Sequence, residues 1–179
     1  SEGAPNPSGT CADGTVPPCL GSASQINVSG DTNQGNRVVG RSPVHATFSG
    51  GLARVLVANR DDNTVSSYSP TLGGTTQTIS LPEAPPPGGP ARPVFVHSTQ
   101  SDQVFVANSQ LNQVAVVSMG ISPPAVIASV GVGANPVALA QTPNAAKLYS
   151  VNQGDSTVTV IDVATRTAAA TPITVGLTP

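Results

Sequence analysis

The 179 residues carry nine acidic and seven basic side chains, for a net charge of −2, and only 9% of the chain is charged. Such sparse charge excludes the basic stripe that displaces counterions from a nucleic acid and the polybasic segment that holds an anionic lipid surface. No apolar run is long enough to span a bilayer, and apolar residues at 38% in ordered alternation exclude a disordered chain.

Residues 1–36 read as a Pro/Gly/Ser-rich N-terminal arm. Cys11 and Cys19 lie in SGTCADGTVPPCLG, a stretch with little else to hold its shape, and a local disulfide between them is expected. In the chain-entropy account so small a ring contributes about 2–3 kcal/mol. The spacing fits neither CxxCH haem attachment nor CxxC zinc ligation. Gln25 to Ser29 alternates weakly, as a short strand does, and includes the glycosylation sequon Asn27-Val28-Ser29. Asp31 to Asn36 (DTNQGN) follows as a turn. The chain begins at Ser1, which suggests processing or a fragment. An export signal already removed, and hence an extracellular or cell-surface location, is the expected setting.

From Arg37 the chain repeats. Anchor prolines fall at Pro43, Pro93, Pro136 and Pro179, at spacings of 50, 43 and 43 residues. Each unit predicts four strands. The first follows the proline (Val44–Phe48, Val94–Ser98, Val137–Gln141), where a missing N–H costs the ladder nothing. The second is apolar and ends in asparagine, at Asn59, Asn108 and Asn152. The third alternates, as in Val114 and Val116 or Val158 and Val160. A fourth (Thr78–Leu81, Val126–Val132, Ala170–Val175) precedes a Gly-x-x-Pro phrase. Between second and third strands lie NRDDN, NSQLN and NQGDS. Asparagine tolerates the left-handed conformation of a tight turn, so Asn59, Asn63, Asn108, Asn112, Asn152 and Ser156 are assigned to turn chemistry. In the first unit LPEAPPPGGPARP adds a proline-rich excursion expected to be stiff and exposed.

A period near 43 with four strands per unit points to the blade of a β-propeller. The words VFVAN and LYSVN, then NQVAVV and STVTVIDVATRT, then Val-Gly-x-x-Pro, resemble the YVTN repeat of bacterial and archaeal surface-layer and secreted propellers. The likeness runs from Val38 to Pro179 and is weakest in the first copy, where VSSYSP replaces VIDxxT. It implies an all-β fold of four-stranded antiparallel blades at residues 43–92, 93–135 and 136–178, usually extracellular and mostly scaffold. It brings no catalytic residue set.

Closure takes at least four blades, and three are complete. Arg37, Val38 and Val39 read as an orphan fourth strand whose blade is otherwise missing. Either a longer chain is cut near Pro179, or copies complete one another through that strand and the terminal blade faces, as a ring, filament or surface layer.

Candidate chemistry is thin. His45 and His97 share a strand face in adjacent units, but the third unit offers only Ala138 and Ala140 there. Asp31 to Asn36 and Asp61-Asp62-Asn63 are oxygen-rich, the first without an EF-hand's terminal glutamate and the second already assigned to a hairpin. GxSxG is absent, and Glu2 and Glu83, the two glutamates, both lie in proline-rich segments. The expectation is therefore a non-catalytic, self-associating structural or interaction module, with no cofactor, no metal, no nucleic acid partner and no membrane insertion. The alternatives are a ligand- or carbohydrate-binding propeller fragment, or a fragment of a lactonase- or quinoprotein-like propeller enzyme.

Overall fold

The computed structural model describes residues 19–27, 32–71, 74–83, 92–99 and 101–176. The expectations for Cys11, Asp31, the Val28-Ser29 part of the sequon, the proline run at 84–90 and the closing 177–179 lie outside the described residues. So does the disulfide as a pair, although Cys19 itself is not a free thiol.

The described residues form strands and turns with no helix. Strands β3 (Pro43–Ser49), β4 (Arg54–Asn59), β5 (Thr64–Tyr68) and β6 (Gln77–Ser80) make one antiparallel sheet in chain order. A second holds β7 (Pro93–Ser98), β8 (Gln103–Asn108), β9 (Gln113–Ser118) and β10 (Ala125–Gly131). The third holds β11 (Pro136–Gln141), β12 (Lys147–Asn152) and β13 (Thr157–Asp162), with two short pieces on the edge of β13: β14 (Thr167–Ala168) and β15 (Ile173–Thr174). These are four-stranded propeller blades. The fourth strand expected at Ala170–Val175 is split because Pro172, lacking an N–H, stands where the ladder would run.

The anchor prolines open β3, β7 and β11, and in each the register shifts just after the proline, between Pro43 and His45, Pro93 and Phe95, and Pro136 and Ala138. The preceding residues Ser42, Arg92 and Asn135 all take left-handed backbone, with φ of 50°, 51° and 51°. Proline disfavours a right-handed helical conformation in the residue before it.

The N-terminal strand differs from its expected isolation. Arg37, Val38 and Val39 belong to β2 (Thr32–Val39), which pairs antiparallel with β1 (Gly21–Asn27), Val38 opposite Ser22 and Val39 opposite Gly21. They are thus the outer half of a blade, not a lone strand. The sequence of β1, GSASQIN, offers almost no apolar alternation to mark it as a strand.

Packing explains the strand patterns. One core joins the first blade (Leu56, Ala58, Val65, Ile79) to the second (Val96, Val104, Val106, Val117); another joins the second (Phe105, Ala107, Val114, Val116) to the third (Leu139, Leu148, Ile161). The middle blade is covered on both faces, so β8 and β9 are buried along VFVAN and VAVVS without alternation. In β12 the burial alternates, since Tyr149 and Val151 face away from the second blade. A smaller cluster, Val39, Val57 and Tyr68 with Ala23, seats the β1–β2 hairpin on the first blade.

Candidate functional site

The first strands β3, β7 and β11 lie side by side, one from each blade. Their ends and the loops that leave them enclose an open pocket of about 600 Å³, lined by Ser49 to Gly51 from the first blade, His97 to Thr99 from the second, and Gln141 to Pro143 from the third. His97 is its one ionisable lining group among the described residues.

The polar groups of this pocket are held across blades. His97 Nε2 lies 3.3 Å from Gln141 Oε1, and Gln141 Nε2 donates to the carbonyl of Ala145 at 3.4 Å. With the amide nitrogen spent on a carbonyl, Gln141 offers His97 an acceptor. His97 Nε2 then carries the proton and Nδ1 the basic lone pair. Ser98 Oγ approaches Ser49 Oγ at 2.6 Å, tying the second blade to the first. Among the described residues no carboxylate lines the pocket. An imidazole among hydroxyls and an amide can accept, donate and relay a proton.

His45 and His97 are brought to neighbouring strands, yet each has a separate job. His45 stacks on Phe95, with centroids 3.8 Å apart, and its Nδ1 accepts the Val96 N–H at 3.3 Å. Burial first, and the proximity of His97 second, push the His45 imidazole below its ordinary range. It is a neutral joint between blades. Among the described residues no group of three or more His, Cys, Asp or Glu side chains could hold a metal ion.

The acidic turn at Asp61 and Asp62 is bonded to its own neighbours. Asp62 pairs with Arg41 through both its backbone N–H and its guanidinium, and Asp61 accepts from Ser42 and from Arg60. The Ser42 hydroxyl, more than the arginines, holds the Asp61 carboxyl below the usual range. These carboxylates are engaged in ion pairs and hydrogen bonds.

The repeated asparagines divide by position. Asn63, Asn112 and Ser156 take the left-handed turn conformation, with φ of 56°, 52° and 55°. Asn59, Asn108 and Asn152 sit at the ends of their strands, fully buried. Asn59 Nδ2 donates to Thr64 Oγ1 and Ser66 Oγ at 3.0 and 2.9 Å, and Asn152 Nδ2 to Thr157 Oγ1 and Thr159 Oγ1 at the same two distances. The first asparagine is therefore a buried clamp on the third strand, a role that the alternating hydroxyls of TVS and TVT signal. At Asn108 the matching residues are Gln113 and Ala115, and neither amide atom has a partner.

No family model matches the chain, and no curated protein sequence matches it. Solved structures do. A putative 6-phosphogluconolactonase from Bacteroides fragilis superposes with a TM-score of 0.67 at 17% identity, over 87% of this chain and 49% of its own. A catalytically inactive histidine variant of virginiamycin B lyase from Staphylococcus aureus, with quinupristin, gives 0.68 at 11% identity, over 86% and 48%. Hydrazine synthase from Kuenenia stuttgartiensis gives 0.61 at 20%, over 71% and 34%. The chain thus spans a third to a half of these structures, and at such identities the likeness establishes the propeller fold alone. The expectation of a non-catalytic structural module is corrected by the names of these neighbours, which are enzymes, and the alternative of a propeller enzyme fragment fits them better. The fold that these relatives share with this chain is the β-propeller.

Proposed function

We propose that this chain is part of a propeller enzyme of the YVTN-repeat type, which binds a small polar molecule at the inner strands and moves a proton on it through His97. The observation that carries this reading is the 600 Å³ pocket to which three successive blades contribute, with His97 as its ionisable group. Gln141 fixes the imidazole tautomer, so that Nδ1 is the atom available to take a proton. Ser49, Ser98 and Thr99 shape the polar wall beside it, their hydroxyls bonded within the protein, Ser98 to Ser49 and Thr99 to the Gln103 carbonyl. Among the structures that share the fold are a putative 6-phosphogluconolactonase and a virginiamycin B lyase with quinupristin, the latter in a catalytically inactive histidine variant.

The test is turnover of a sugar lactone and of quinupristin by the full chain, against His97→Gln. The expected result is turnover of one of them that falls at least a hundredfold in the variant. Equal rates in parent and variant would remove His97 from the mechanism, and no turnover or saturable binding of either probe would overturn the reading.

A further inference from the structure

The turns that follow β3, β7 and β11 all reach the His97 pocket, yet their backbone N–H groups are engaged differently. After β7, Ser101 donates its N–H to Thr99 Oγ1 at 3.2 Å and Gln103 donates to Ser101 Oγ at 3.4 Å. After β11, Pro143 has no N–H to satisfy. Ala145 there donates to the Thr142 carbonyl, Ala146 to Asn144 Oδ1 and Lys147 to Thr142 Oγ1, at 2.8, 3.2 and 3.0 Å. The turn after β3 is built like the one after β11: residues 50–53 bridge Ser49 and Arg54 as residues 143–146 bridge Thr142 and Lys147, and Ala53 and Ala145 both take left-handed backbone, with φ of 49° and 57°. In it Leu52 donates to Ser49 Oγ at 3.2 Å. Gly50 and Gly51 line the pocket with N–H groups that have no acceptor among the described residues and no side chain to cover them.

The rest of the wall leaves a ligand few acceptors. Ser49 Oγ takes the Leu52 N–H, Thr99 Oγ1 is bonded to Ser101 and to the Gln103 carbonyl, and Gln141 Oε1 meets His97. No carboxylate lines the pocket among the described residues, and an imidazole is neutral or positive, so nothing there repels an anion. Successive N–H groups left open at a turn form a donor pair for negatively charged oxygen, held in place by the backbone before the ligand arrives.

We infer that the Gly50-Gly51 turn is the anion-binding side of this pocket, and that the molecule bound beside His97 carries a carboxylate whose oxygens accept from these two N–H groups. The inference rests on the reading of the pocket as the ligand site and narrows its ligand from a small polar molecule to a small carboxylic acid. It also explains why the first blade has glycines where the third has Pro143 and Asn144: any side chain at those positions is dispensable to the turn, whereas an open N–H is not available from proline.

The experiment titrates the isotope-labelled full chain with gluconate and with glucitol, which has a CH2OH group in place of the carboxylate, at constant ionic strength. Saturable downfield shifts of the Gly50 and Gly51 amide protons are expected with gluconate, and binding weaker by about tenfold with glucitol. Gly50→Pro removes one donor and copies the residue that the third blade holds at the matching position, after a strand residue whose extended backbone proline accepts. Gly50→Ala keeps the N–H, and its Cβ meets nothing within 4 Å. Gluconate affinity should fall about tenfold further in the proline variant than in the alanine variant. Equal affinities of the two variants, equal binding of gluconate and glucitol, no shift at either glycine in millimolar gluconate, or the same shifts from chloride would each overturn the inference. Lactone turnover that depends on His97, with both glycine amides unmoved by gluconate, would sink this inference alone; gluconate bound at these amides without turnover would sink the proton-transfer reading alone.

Discussion

Asn108 provides a test of how the repeat is held together. Its amide is fully buried and unpartnered, whereas Asn59 and Asn152 each donate 2.9 Å bonds to a hydroxyl two residues into the third strand, from Ser66 and Thr159. The matching residue in the middle blade is Ala115, itself fully buried. Ala115→Ser places one oxygen where the first blade already has one. A made hydrogen bond contributes about 0.5–1.5 kcal/mol net, and a buried amide left without one costs about 1–3 kcal/mol, so a gain of about 1 kcal/mol is expected once the serine's own burial is offset. For a chain of this size that corresponds to a rise in Tm of about 2–4 °C. Urea unfolding followed by circular dichroism is the assay, with the midpoint moving at constant slope. Ala115→Val adds volume without a hydroxyl and should destabilise. Ser66→Ala should cost about 1–2 kcal/mol by removing the hydroxyl from Asn59. If Ala115→Ser is neutral or destabilising while Ser66→Ala also has no effect, the asparagine is not a clamp and the reasoning fails.

The glycine of the Gly-x-x-Pro phrase should be sensitive for a related reason: a Cβ at Gly133 would lie 2.6 Å from Asn152 Nδ2 and 2.5 Å from Asp155 Oδ2. Gly133→Ala is expected to lose about 1–3 kcal/mol, against a change within about 0.5 kcal/mol for Gly131→Ala, which meets nothing within 4 Å. Equal stabilities would show that the loop relaxes freely. The depressed imidazole of His45 predicts a pH dependence. The unfolded chain takes up the proton first on acidification, near pH 6.5, so the full contribution present above that value is lost progressively as the pH falls below it. Thermal melts from pH 7.5 to 5 should therefore drop more steeply for the parent than for His45→Gln, and superimposable profiles would refute the assignment.

The blade framework is legible in the sequence because its punctuation is local. Proline at the start of the first strand and asparagine at the end of the second locate β3, β4, β7, β8, β11 and β12 to within a residue. The pairing of Val38 with Ser22 is not legible, since β1 is polar and is held by a hairpin and by the Val39, Val57 and Tyr68 cluster beyond it. The clamp at Asn59 and Asn152 is written in the hydroxyls of the following strand, but the same letters also spell a turn. The pocket is least legible of all. His97 meets Gln141 across 44 positions and Ser98 meets Ser49 across 49, distances over which no spacing rule operates.

The repeat also indicates where chemistry can reside. Positions that build the blade are constrained to agree: the anchor proline, the terminal asparagine, and the apolar residues that face neighbouring blades. On the first strands, by contrast, the copies differ. Two residues after the proline stand His45, Phe95 and Ala138; four after it, Thr47, His97 and Ala140; five after it, Phe48, Ser98 and Gln141. Interblade packing accounts for the first trio, because His45 stacks on Phe95 and bonds to Val96. The other two supply His97, Ser98, Gln141 and Phe48 to one pocket. A scaffold that only repeated itself would place the same side chain at all three positions, and the blades would be interchangeable. Here the strands nearest the pocket break the repeat, and among the described residues the ionisable group they bring to it is a single imidazole that meets Gln141 of the next blade.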